Sequence, residues 1–299
     1  KNNTAIGDFA LNKNTTGDRN TAVGVSAAQR QTIANDVVAI GAYALYYNTV
    51  SGTVGVGSNA LGDNTTGVEN VAVGRNSLRN NTVGDSNTAV GDYTLFANTT
   101  GNWNAAFGDN ALMTAQTANN NTAFGSNALE ATTAGENTAI GSQALVDNTT
   151  GIQNTAIGTW SMQTNTSGSG NTAVGRSSLQ QNSAGSYNTA LGDRALELNT
   201  ADRNTAIGSH ASGYNATGEF NTTLGVAAAR DATNINGAVA VGYHAMIAQT
   251  NSGTLSDGTY SQNTAIGYYA MAGDETIVNN GIANTAVGAN ALQNLRDGN

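Results

Sequence analysis

A five-residue phrase, Asn-Thr-Ala-aliphatic-Gly, recurs along the whole chain. Its closing glycine falls at Gly7, Gly24, Gly41, Gly57, Gly74, Gly91, Gly108, Gly125, Gly141, Gly158, Gly175, Gly192, Gly208, Gly225, Gly242, Gly267 and Gly288. The spacing is 16 or 17 residues up to Gly242, then 25 and 21. So short and constant a period leaves room for one coil of a β-solenoid and little else.

Aligned on the glycine, each column becomes a physical environment. The residue before it is apolar in all seventeen copies, from Ile6 and Val23 to Ile266 and Val287, and is expected to point into a core. Two residues earlier, on the same face of a strand, stands Thr in twelve copies, Val at 38, 54, 71 and 239, and Ala at 105. Exchange of Thr for Val keeps a β-branched shape without the hydroxyl, so packing governs this column. The residue between them is Ala in fifteen copies, with Gly55 and Thr223 as exceptions. A small residue on the opposite face predicts close approach of a neighbouring chain, and hence a homotrimer about the long axis.

Beyond the glycine come two variable residues, a small one, and a second large apolar column that includes Leu11, Leu45, Leu61, Leu78, Leu95 and Met162. This column predicts a second strand. Corners such as Asn64-Thr65-Thr66-Gly67 follow, in which Asn and Gly supply left-handed backbone positions. The phrase-initial Asn, present in fourteen copies, is expected to stack as an amide ladder that satisfies backbone groups. The fold class is therefore all-β, a parallel β-solenoid of about seventeen coils stacked roughly 4.8 Å apart. Residues 1–245 form regular repeats, and 246–299 continue the roll with two elongated, loop-bearing repeats.

Composition narrows the function. Of 299 residues 10% are charged, and neither proline nor cysteine occurs. Disorder, disulfide stapling and thiol chemistry are therefore disfavoured. A net charge of −9 without a basic run argues against nucleic acid as a partner. No apolar stretch approaches the roughly 20 residues of a membrane helix, so this segment is not expected to insert into a membrane. The chain opens inside a repeat at Lys1, as a segment of something longer would.

The phrases Asn3-Thr4-Ala5-Ile6-Gly7, Asn137-Thr138-Ala139-Ile140-Gly141 and Asn171-Thr172-Ala173-Val174-Gly175 resemble the head repeats of YadA-like trimeric autotransporter adhesins. Similar repeats occur in bacteriophage tail fibres and large secreted bacterial surface proteins. The resemblance covers essentially the whole chain. It implies a left-handed, trimeric β-roll acting as an attachment head or fibre shaft, located outside the cell, on a cell surface or on a virion. It brings no catalytic residue. The period here is longer than in adhesin heads, through an enlarged Asn-Thr-Thr-Gly corner, and no coiled-coil stalk is present.

Residues suited to chemistry are sparse. His210 and His244 each stand two residues after a repeat glycine, two coils apart, too far to share a metal. Asp92 and Asp109 occupy neighbouring coils as the nearest thing to a carboxylate pair. No cofactor and no metal site is expected, and the chain is not expected to be an enzyme. Aromatic clusters are the candidate ligand-binding residues: Tyr43, Tyr46 and Tyr47 in one coil, and Tyr243, His244, Tyr260, Tyr268 and Tyr269 around the elongated repeats. Such faces suit a host-cell or surface receptor, a glycan among the candidates. The leading expectation is a non-enzymatic structural and adhesive fibre segment. The alternatives are a self-assembling filament subunit, an ice-binding solenoid and a spike depolymerase. The ice face is disfavoured because the Thr column is interrupted by Val38, Val54, Val71 and Ala105 and shares its face with the aliphatic column assigned to the core.

Overall fold

The computed structural model of the chain describes residues 2–247, 262–273 and 283–293. Among them there is no helix, and every repeat contributes one three-residue strand. Two compact units divide the chain. Lys1–Thr150 carries nine strands, from β1 (Thr4–Ile6) to β9 (Thr138–Ile140), and Gly151–Asn299 carries eight, from β10 (Thr155–Ile157) to β17 (Thr285–Val287). Within each unit consecutive strands pair in parallel with no slip, phrase upon phrase, as in Val71↔Thr88, Ala72↔Ala89 and Val73↔Val90. Each unit is thus a parallel β-solenoid.

The strand faces are the reverse of those expected from the sequence. The central residue is the buried one: Ala22, Ala89, Ala106, Ala173 and Ala206 are all fully enclosed. The aliphatic and Thr columns face outward, with Phe124 55%, Leu191 46% and Ile266 40% exposed. The reason is thickness. Leu45, Leu61, Leu78 and Leu95 point inward from the opposite wall and are fully buried, so little more than a methyl fits between them and the strand; the larger Thr223 is accommodated where Ser212 replaces the leucine. At Gly55 even a methyl would stand 3.0 Å from Leu45 Cγ. The alanine column is therefore interior packing, and the case for a trimer based on it lapses.

The leucine column is not a second strand. Its backbone is left-handed, at φ 51° for Leu45, 50° for Leu61 and 49° for Leu78. The residue two before it is left-handed too, as at Tyr43 (57°) and Asn59 (59°). Alternation of left- and right-handed residues turns successive peptides up and down the stack. Accordingly Tyr43 N–H donates to the Val25 carbonyl of the preceding coil at 2.9 Å, while Leu45 N–H donates to the Ala60 carbonyl of the following one at 2.9 Å. These inter-coil bonds offset the roughly 1 kcal/mol or more that each left-handed side-chain-bearing residue costs. The repeat glycine is held by the same stacking. Gly24 has φ 135°, and a Cβ there would lie 2.5 Å from the Gly41 carbonyl oxygen.

Two buried amide ladders complete the interior. The phrase-initial Asn forms the expected one: Asn87 Oδ1 accepts from Asn104 N–H at 3.0 Å and from Asn104 Nδ2 at 3.1 Å. Asn87 Nδ2 reaches across to the Gly101 carbonyl at 2.8 Å. The second ladder, at the corner Asn, was not anticipated. Asn64 Nδ2 donates to Asn48 Oδ1 at 2.9 Å, and Asn98 Nδ2 to Asn81 Oδ1 at 2.7 Å. Its signal lay in the sequence, as a periodic Asn seven residues after the repeat glycine.

Candidate functional site

Three surface features of the described residues bear on function. The first is the outward strand face. In the unit Lys1–Thr150 it presents Val38, Val54 and Val71 in sequence, then Phe107 stacked on Phe124 with ring centroids 5.2 Å apart and planes at 27°. In the unit Gly151–Asn299 the first column is Thr155, Thr172, Thr189, Thr205 and Thr222 before Val239 interrupts it. Neither column carries a charge.

The second feature is the tyrosine cluster at Tyr43, Tyr46 and Tyr47, which the structure brings together as expected. Tyr43 and Tyr46 centroids lie 5.8 Å apart, and Tyr46 and Tyr47 meet edge to face at 4.7 Å and 85°. Arg30, from the preceding coil, places its guanidinium 4.8 Å from the Tyr47 ring centre and 5.4 Å from that of Tyr46. Arg30 carried no weight in the sequence, because only alignment of the coils reveals that it shares a column with Tyr47.

The third is the cluster at Tyr243, His244, Tyr268 and Tyr269. Tyr243 and Tyr268 occupy equivalent places in successive coils and stack at 5.5 Å and 13°, and Tyr243 stacks on His244 at 4.1 Å. The His244 imidazole is held below its ordinary range, first by partial burial and then by the Arg230 charge. Tyr260 lies outside the described residues.

Among the described residues no three His, Cys, Asp or Glu side chains converge on a metal-sized space. Asp92 pairs not with another carboxylate but with Arg75 of the preceding coil at 2.8 Å, a contact that lowers its pKa. Asp193 pairs likewise with Arg176 at 2.9 Å. His210 hydrogen-bonds the hydroxyl of its neighbour Ser209 at 2.9 Å. No protein-family model, curated protein or solved structure matches the chain.

Proposed function

We propose that the chain is a non-enzymatic structural and adhesive fibre segment, displayed outside the cell or on a virion, which assembles as a homotrimer through its outward strand face. The observation that carries this reading is the exposure of the aliphatic column beside an uncharged Thr and Val column. Nine strands at about 4.8 Å spacing, with a stripe about 10 Å wide, expose on the order of 400 Å² of largely apolar surface. That lies within the roughly 300–600 Å² of the largest apolar patch on a typical monomer, which is often functional. A second copy fits this one because its face repeats with the same period. The thin interior of alanine, leucine and amide ladders gives such a chain reason to bury more apolar surface by association. The resemblance of the repeat phrase to YadA-like adhesin heads and phage fibres points the same way.

Sedimentation equilibrium of the purified chain tests the assembly, with cell-surface attachment assayed on the same sample. A species of three times the chain's 30.2 kDa supports the reading, and a monomer that attaches to no cell overturns it.

One observation favours a second reading. With the strand faces reversed, one of the two grounds against an ice-binding face is gone; the interruptions at Val38, Val54, Val71 and Ala105 remain, all of them in the unit Lys1–Thr150. The run Thr155, Thr172, Thr189, Thr205 and Thr222 stands outward in strict register. A monomer that shows thermal hysteresis would establish this reading in place of the first.

A further inference from the structure

Lys13, Arg30 and Tyr47 stand six residues after Gly7, Gly24 and Gly41, so three successive coils present them in one column. Asn12, Gln29 and Tyr46 form the column beside it. Register is fixed by the backbone: Lys13 N–H donates to the Gln29 carbonyl at 3.1 Å, and Arg30 N–H to the Tyr46 carbonyl at 3.1 Å. Lys13, Gln29, Arg30 and Tyr46 line an open recess of about 410 Å³. That volume lies within the roughly 300–1,000 Å³ of small-ligand sites.

Its charge runs against the rest of the molecule. The chain carries −9 overall, and Arg19, Arg75, Arg176, Arg194 and Arg230 each lie beside a carboxylate. Among the described residues Lys13, Arg30, Arg79 and Arg203 make no ion pair, and of these Lys13 and Arg30 share one recess. Arg30 is held instead by the two tyrosine rings, 4.8 and 5.4 Å from its guanidinium carbon. The guanidinium also hydrogen-bonds Tyr46, and its five N–H donors leave others for a second partner. A guanidinium fork suits a planar carboxylate.

We propose that this recess binds a carboxylate-bearing sugar, with Lys13 and Arg30 on the carboxylate, the Gln29 amide on ring hydroxyls and the Tyr46 ring against the apolar face of the pyranose. The proposal rests on the attachment reading above and gives it a receptor chemistry, an acidic glycan. Specificity follows from the charges: a neutral sugar of the same shape would leave two cations without a partner.

Calorimetric titration of the full chain with trigalacturonate, and with its fully methyl-esterified form, tests the site. Expected are saturable binding of the acid, affinity weaker by about tenfold or more for the ester, and weakening in 0.5 M NaCl. Arg30→Gln should lower the affinity by about tenfold. Lys13→Gln, a change at an exposed side chain, should lower it severalfold with no change in melting temperature. Equal binding of acid and ester, binding of neither, or undiminished binding by the Lys13→Gln protein would overturn the proposal. Attachment to cells by a trimer that ignores trigalacturonate would sink this site and leave the attachment reading standing.

Discussion

Asn81 Nδ2 donates to Asn64 Oδ1 one coil away at 2.9 Å, and the same nitrogen donates to the carbonyl of Gly84, three residues along its own coil, also at 2.9 Å. This double use explains a pairing in the sequence. A Cβ at Gly84 would stand 2.5 Å from Asn81 Oδ1, and one at Gly67 would stand 2.7 Å from Asn64 Oδ1. The carbonyl of the following coil stands closer still, 2.4 Å from a Cβ at Gly84, so in the 17-residue coils corner Asn is followed by Gly three residues on, as in Asn98 with Gly101 and Asn165 with Gly168, whereas in the 16-residue coils Asn48 and Asn199 donate instead to the carbonyls of Val50 and Ala201 two residues on. Where the corner Asn is absent the third residue on varies: Ala118 after Ala115 and Ile235 after Ala232, but Gly135 after Thr132.

The break at Ala115 leaves the Asn98 carboxamide oxygen buried without a partner. Ala115→Asn would extend the ladder to it, but only if Ala118→Gly removes the methyl in its way. Each single change should be neutral or destabilising, the glycine through added freedom in the unfolded chain. The double variant should exceed the sum of the two by about 1 kcal/mol, the worth of a restored buried hydrogen bond. A denaturant double-mutant cycle measures this coupling, and a value of zero would refute the pairing rule.

Inside and outside are separated by a single residue at Ala89 and Val90. Ala89 is fully buried, so Ala89→Val must push against the leucine wall and should cost about 1–3 kcal/mol. Val90 is half-buried on the outward face, and Val90→Ala should cost less than about 1 kcal/mol in the isolated chain. Urea unfolding of the two variants gives the comparison. The reverse order would restore the orientation first inferred from the sequence.

That orientation was not legible, although the period was. Stacking makes the repeat glycine obligatory, since any side chain at Gly24 would strike Gly41, and a periodic constraint prints itself on the sequence. Alternation in Thr88-Ala89-Val90 marks two faces but not which is inside. Ordinary cores favour the larger apolar side chain, and that rule fails here because Leu78 and Leu95 already fill the space from the other wall. Leucine at φ near +50° is too rare to expect, so a second strand was inferred where the backbone alternates in hand. The tyrosines were visible by clustering. Their cationic neighbours Lys13 and Arg30 were not, being separated from them by whole coils in the sequence and joined only by the stack.

His244 gives the structure a pH dependence of determinate sign. Partial burial and the Arg230 charge lower its folded-state pKa from the ordinary 6.5, so the unfolded chain binds the proton more readily. Stability is therefore fully present above about pH 6.5 and declines as pH falls, levelling once the folded imidazole is protonated as well. His244→Gln should abolish the part of the decline that belongs to this residue. Thermal melts of both proteins between pH 5 and 7.5 would show it, and an unchanged profile in the variant would remove His244 as the source.

Phe107 and Phe124 mark where the assembly reading is most exposed to test. Their rings stack across two coils on the outward face, and Phe124 is more than half exposed there. If that face is buried between copies of the chain, Phe124→Asp places a charge in an apolar contact, where it finds no counter-charge and loses its hydration. Stability of the single coil stack should barely change, because the side chain makes no interior contact and the buried neighbour Ala123 is untouched. The expected result is a folded protein of unchanged far-ultraviolet circular dichroism whose mass in sedimentation falls from trimer to monomer. Thr122→Asp, on the same strand and face, should act alike, whereas Asn59→Asp, two residues beyond Gly57 and off the strand face, should leave the trimer intact. Persistence of the trimer in both face variants would place the contact elsewhere on the molecule.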